Sequence, residues 1–156
     1  MLIAYFYITF NIIKYTAIRN NYYNYYELAV QKWCSVDYNI HGLWPQKDSS
    51  HYPTHCSDVG YVSPTGSLLI NMTTYWNSCN DNDSFWKHEW QKHGSCVNEQ
   101  VGLNEYQYFS LAMELFRSNQ DLLKKCVNIN CIMACFDLNY NLIDCPNVLE
   151  QIIMLL

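Results

Sequence analysis

Charge is what this chain has little of. Only 15% of its 156 residues are Asp, Glu, Lys or Arg, whereas 50% are hydrophobic and 16% aromatic, and globular domains usually carry about a quarter charged residues. That balance excludes a disordered chain, which needs the opposite proportions, and the length suits one domain with a real core. A positive excess is missing as well, the formal charge being −5. A nucleic-acid binder that works through a broad basic surface is therefore excluded, and any polyanion has to be held by a local site. Five histidines change this in acid, because charging all of them cancels the formal deficit. No repeat and no low-complexity linker divides the chain, and no apolar run is long enough for a comfortable transmembrane helix.

The amino terminus, "MLIAYFYITFNII", has the length of a signal peptide but lacks a basic n-region and a small-residue cleavage site. Residues 1–21 are read as a signal segment or N-terminal extension, the alternative being a buried strand. Two sequons, Asn71-Met72-Thr73 and Asn82-Asp83-Ser84, agree with a secretory route and make Asn71 and Asn82 glycosylation candidates.

Cysteine is abundant, with eight: Cys34, Cys56, Cys79, Cys96, Cys126, Cys131, Cys135 and Cys145. The count is even and C-x-x-C spacing is absent, so a disulfide framework in an oxidising compartment is favoured over zinc or free thiols. Connectivity cannot be read from the spacing alone.

Periodicity predicts a strand over Tyr22 to Gln31 and a half-buried strand through "SVDYNIHGLW". In the second, Ile40 and His41 face opposite sides, and Gly42 and Pro45 end the strand. Lys47 to Pro64 reads as a loop. Ser63 to Ser78 carries a helical stripe of Leu68, Leu69, Met72, Tyr75 and Trp76. Ser84 is placed as the cap of a short helix running through His93 and closed by Gly94. Asn104 to Lys125 is helical with a break at Asn119, and Val127 to Asp137 alternates as a central strand. Pro146 turns the chain before an apolar tail. Strands, then helices, then strands describe an α+β domain with a central antiparallel sheet packed by helices and stapled by disulfides, covering residues 22–156.

The densest chemistry lies in "FWKHEWQKHGSC", Phe85 to Cys96. On a helix with His88 at the origin, Lys92, Glu89 and His93 fall at about 40°, 100° and 140°, with Trp86 and Trp90 continuing the arc toward a core. Lys87 and Gln91 face elsewhere. The zinc motif H-E-x-x-H sets its histidines four apart on one face; here they are five apart and Lys92 sits beside them, so no metal is assigned. A salt-bridged helix with the i,i+4 pairs His88/Lys92 and Glu89/His93 stays open on spacing alone. Cleavage of a phosphodiester by its neighbouring 2′-OH uses the same set. It needs a base, an acid and cations around the crowded phosphorus, and histidine serves both proton roles near its working pH. The nucleophile belongs to the substrate, so no cofactor is required. A second histidine must come from across the phosphate, and "NIHGLWPQ" offers His41.

Taken together, "IHGLWPQ" (Ile40 to Gln46) and "FWKHEWQKHGSC" closely resemble the two active-site segments of the ribonuclease T2 family, secreted or lysosomal endoribonucleases and their plant S-glycoprotein relatives. "YYELAVQ", "YFSLAMELF" and "ACFD…DCP" are similar to the flanking text, so the likeness spans about Tyr25 to Pro146. The resemblance implies a metal-independent RNA substrate reaction, no action on DNA, a monomer without stable membrane insertion, and a secreted or lysosomal location. It implies His93 as general base and His41 as general acid, with the swap open. His88 is implied as a phosphate-binding imidazole, Glu89 and Lys92 as the groups that steady the phosphorus, and Trp44 and Gln31 as base contacts. It also implies the pairs Cys34–Cys79, Cys56–Cys96 and Cys135–Cys145, leaving Cys126 and Cys131 over. Departures accompany it: "QKWCSVDYNIHG" is shorter than its counterpart, a helix and a strand common in relatives are missing between Leu123 and Cys135, and the C-terminal segment is cut, so the domain is expected to be shortened. A catalytically inactive secreted relative that binds RNA or a cell-surface partner is the alternative, and a small disulfide-stapled structural protein the third.

Other residues read more plainly. His51 and His55 are exposed loop histidines, Trp33, Trp76 and Trp86 are core, and Trp44 divides between core and base stacking. Lys124 and Lys125 complement a helix end rather than form an RNA patch.

Overall fold

The computed structural model describes residues 21–31, 38–127 and 133–146, with side chains from 124 to 127 left aside. The N-terminal stretch 1–20, Trp33, Cys34, Cys131 and the tail after Pro146 lie outside the described residues, as do the side chains of Lys124, Lys125 and Cys126. Tyr25–Gln31 forms β1 and Asn39–Gln46 forms β2; then come helices α1 (Gly66–Tyr75), α2 (Asn82–Glu89), a π-turn (Trp90–Gly94), α3 (Ser95–Val101), α4 (Glu105–Ser118) and α5 (Gln120–Val127), and finally β3 (Met133–Phe136) and β4 (Leu142–Ile143). The sheet is antiparallel in the order β2-β1-β3-β4. This is the α+β class. Among the described residues no helix is long and apolar enough to cross a membrane.

The second strand does not stop at Gly42 or Pro45, as its sequence suggests, but runs on to Gln46. It is an edge strand, where a proline removes no ladder bond that a neighbour needs. Its register carries the most consequential irregularity of the fold. Ala29 pairs with Gly42 and Val30 with Ile40, so His41 is the extra residue of a β-bulge. In strict alternation Ile40 and Leu43 would face opposite ways. With the bulge between them both are fully buried in the core, while His41 and Trp44 share the other face. The freed carbonyl of His41 accepts the indole N–H of Trp76 at 2.8 Å.

The helical layer is built on buried aromatics whose polar tips are all engaged, as such rings require. Trp86 Nε1 donates to the Trp76 carbonyl at 2.6 Å, Trp90 Nε1 to that of Gly60 at 2.7 Å, and Tyr108 Oη to that of Leu43 at 2.9 Å. Trp76, Trp86, Tyr108, Phe109 and Phe116 form one core with Leu28, Ile40 and Leu43 of the sheet. On α1, Leu68, Met72 and Trp76 are buried and Leu69 is exposed, so the apolar stripe is narrower than its spelling. Asn104 and Gln107 cap α4 reciprocally, each side chain accepting the other's backbone N–H at 2.9 Å. Asn119 breaks α4 from α5.

The start and end of the α2 segment both differ from expectation. Its cap is Asp81, which accepts from the N–H groups of Asp83 and Ser84; Ser84 is inside the helix and bonds Asp81 with its own hydroxyl. Gly94 does not end the helix. The chain widens into a π-turn, in which Ser95 N–H reaches back five residues to the Trp90 carbonyl, and continues as α3 until Gly102 in the left-handed conformation (φ 78°). Gly94 is needed for packing: a Cβ there would lie 2.1 Å from the Trp90 ring.

Disulfides join Cys56 to Cys96 and Cys135 to Cys145, and Cys79 is also disulfide-bonded. The first ties the long β2–α1 connection to the helix that carries the dense charged segment, across 40 residues of sequence. Chain-entropy reasoning for a loop of that length gives about 4 kcal/mol. A Cys56→Ala/Cys96→Ala protein is expected to lose about 3–4 kcal/mol in denaturant unfolding relative to the parent, and a loss under ~1 kcal/mol would show that the loop is held by its other contacts.

Candidate active site

Two elements build the site. The bulge on β2 turns His41 onto the face that already carries Trp44, and α2 with its π-turn lays Glu89, Lys92 and His93 across that face. The rings confirm the meeting: His41 lies 5.2 Å from Trp44 in an edge contact and 5.6 Å from Phe85, and Trp44 is stacked on His93 at 5.5 Å with 28° between planes. Trp44 also donates its indole N–H to Glu89 Oε2 at 2.9 Å. It is half-buried and belongs to the site rather than to the core. The π-turn explains how His93 reaches the group. A wider turn advances fewer degrees per residue, so His93 is rotated back from the 140° that an unbroken helix would give it.

The centre of the site is dry and its rim is wet. Glu89 is 2% exposed and His93 3%, whereas Lys92 and His41 are half-buried and His88 is exposed. Burial pushes the Glu89 carboxyl up to about 7, against the opposing pull of the Trp44 N–H and the Lys92 charge. Burial, then Lys92, His88, His41 and His55, hold His93 down to about 3. His41 is lowered by burial and by the charges of His88 and Lys92, and His88 by burial, Lys92 and His55. Both central groups are thus uncharged in mild acid: Glu89 as the acid, His93 as the free imidazole. His93 Nδ1 has no hydrogen-bond partner among the described residues, which suits a neutral ring.

Beside His93 opens a cleft of about 390 Å³ lined by Trp44, Lys92, Glu27, Gln46, Tyr52 and Met133 among others. Sequence reasoning missed Glu27, Gln46, Tyr52 and Phe85 as site residues. The first was within reach, because a strand pairing that sets Glu27 against Trp44 follows once the register is known. Glu27 accepts from Gln46 Nε2 at 2.7 Å. Gln31 shares Glu27's face of β1 but lies four residues on, roughly 13 Å away, opposite Asn39 and outside this cleft. Asn71 is half-buried in α1, and Asn82 opens α2 with its carbonyl oxygen accepting the Ser78 N–H at 2.7 Å. His51 is exposed and paired with Asp48 at 2.8 Å.

Gly42 lies under the Trp44–Glu89 hydrogen bond. A Cβ there would be 2.2 Å from both Glu89 Oε2 and Trp44 Nε1. Gly42→Ala is therefore expected to part the two groups and to cost about 1–3 kcal/mol, the usual size for overpacking. Denaturant unfolding of the variant checks this, and parental stability would show that the strand can yield.

Comparison with known proteins finds relatives in sequence and in fold. Extracellular ribonuclease LE of Solanum lycopersicum is 35% identical over 95 residues, which are 57% of this chain and 40% of that protein. The crystal structure of Japanese pear S3-RNase superposes with a TM-score of 0.64 at 22% identity, covering 83% of this chain and 94% of the other. RNase NT, solved in complex with 5′-AMP, superposes at 0.60 with 22% identity, covering 80% and 91%. The chain spans about half or less of the length of the curated relatives it matches. Residues 9–153 match the Ribonuclease T2 family, and with that match over nearly its whole length the chain belongs to the Ribonuclease T2 family.

Proposed function

We propose that the protein is an endoribonuclease that cleaves single-stranded RNA by transesterification, leaving 2′,3′-cyclic phosphate ends. The observation that supports this best is that His41 and His93, from a strand and a helix, both contact Trp44, whose indole N–H donates to Glu89. Neutral His93 removes the proton of the 2′-OH; O2′ bonds to phosphorus as the P–O5′ bond breaks; protonated His41 gives its proton to the departing O5′. Water then enters with the roles reversed and opens the ring to a 3′-phosphate. Lys92 stabilises the extra charge on the non-bridging oxygens, and protonated Glu89 can donate a hydrogen bond there where a carboxylate would repel. His88, at the rim, binds the phosphate. Trp44 and the adjacent cleft take one base and Gln31, further along the same face, contacts the other nucleotide. DNA lacks the nucleophile and is not cut. A metal-bound water has no place in a reaction whose nucleophile is the ribose. A secretory or lysosomal route, with residues 1–21 as its signal and Asn71 and Asn82 as glycosylation sites, fits the disulfides and the extracellular tomato relative.

Purified protein is expected to cleave RNA at pH ~5 in EDTA and to leave cyclic-phosphate ends. EDTA-sensitive or absent cleavage would sink the reading and favour an inactive binding relative. His93→Ala should lower the rate on the order of 10²–10⁴-fold, the usual worth of a general acid–base group.

The pH profile follows from the directions above. The base must be neutral, so activity falls in acid as His93 protonates at about 3. The acid must be protonated, so activity falls again on the alkaline side through the pKa of His41, which is lowered from 6.5. The maximum of kcat/KM is expected between about pH 3 and pH 6.5, and a maximum at pH 7 or above would refute the assignment of the pair.

A further inference from the structure

We propose that His55 is a phosphate-binding residue that extends the cationic wall of Lys92 and His88 and holds the phosphodiester next to the one being cleaved. The inference rests on the ribonuclease reading above. Its ground is how firmly one loop residue is held against the catalytic helix. His55 N–H donates to the Lys92 carbonyl at 2.9 Å, Cys56 N–H to Ser95 Oγ at 3.1 Å, and Ser57 Oγ to the Ser95 carbonyl at 3.2 Å; the Cys56–Cys96 disulfide closes the seam. Three consecutive loop residues are thus stitched to residues 92–96, inside and just after the π-turn.

At the head of the seam His55 adopts φ 51°, a left-handed conformation uncommon outside glycine. Backbone held in that region by its surroundings is a feature that clusters at binding sites. The imidazole itself is exposed and makes no hydrogen bond or ion pair among the described residues. Its position is nevertheless close enough to the helix that its charge lowers both His88 and His93.

The second loop histidine makes the contrast. His51 is engaged by Asp48 through Nδ1, so its charge is already answered. Among the described residues no carboxylate pairs with His55, and its backbone is bonded to that of Lys92. In a chain of net charge −5, half-buried Lys92 and exposed His88 and His55, near enough for the charges of Lys92 and His55 to act on His88, form a cationic group that an anionic polymer would meet beside the buried pair.

The test counts phosphate charges and does not depend on turnover. Affinity is measured at pH ~5 and low salt for a 2′-O-methyl trinucleotide with two phosphodiesters, and for the same trimer with one or the other linkage replaced by a neutral methylphosphonate. Neutralising the linkage held in the catalytic site should cost parent and His55 variants alike; neutralising the adjacent linkage is expected to weaken binding to the parent about two- to fivefold, the worth of an exposed ion pair. That penalty should vanish in His55→Asn and His55→Gly, both of which tolerate the left-handed backbone. An adjacent-linkage penalty of equal size in parent and variants overturns the proposal, as does a parent that shows none. If the parent cleaves RNA in EDTA yet shows no penalty, His55 alone is refuted. If it neither cleaves nor binds, the ribonuclease reading falls and this inference with it.

Discussion

One inserted residue sets the geometry of this protein. The bulge at His41 shifts the phase of β2 by one position, and that shift lets Ile40 and Leu43 enter the core together while His41 and Trp44 leave it together. Without it, a strand would have to choose between filling the core and presenting two site residues three positions apart. The indole N–H of Trp76 holds the bulged carbonyl, and the phenol of Tyr108 holds that of Leu43 two residues later. The core therefore anchors the bulge by its polar tips as well as by its apolar bulk, and the site inherits the rigidity of the core.

The electrostatics follow from the same closeness. Trp44 covers Glu89 and His93, and their burial removes charge from both. Around that neutral centre stand Lys92, His88 and His41, cations or latent cations that oppose one another. Under the function proposed above, an entering phosphate would replace mutual repulsion with attraction and raise each depressed imidazole toward its ordinary value. Anion binding and charging of the site would then be one event, a route by which a protein of net negative charge could hold a polyanion.

Much of this was legible in the residues, and the failures have physical causes. A Tyr-rich run located β1, alternation located β2 and 3.6-residue periodicity located α4, because those signals are local. The arc drawn for the four ionisable groups of the α2 segment assumes a uniform helix, whereas the chain widens into a π-turn at Trp90–Gly94. The π-turn sets Gly94 against the ring of Trp90 four residues before it, where a Cβ would clash, and the Trp90 indole is held from outside the helix by the Gly60 carbonyl at 2.7 Å. Gly94 looked like a stop for the same reason: its lack of a Cβ serves close packing here and not a left-handed turn. Pro45 looked like a strand terminator because edge position is a property of the sheet. Glu27 needed the register of β1 against β2 to be seen, and Tyr52 had no such guide, since a loop brings it to the cleft.

The stacking of Trp44 on His93 has an optical consequence. An imidazolium in contact with an indole quenches its emission, whereas a neutral imidazole does so weakly. Trp44 touches both histidines and bonds the buried carboxyl, while Trp76, Trp86 and Trp90 are shut in the core with their N–H groups bound to backbone carbonyls. Among these four tryptophans, the one whose light responds to the charge state of the site is the one that forms its floor. The protein carries its own indicator of protonation, read without a label and without a substrate.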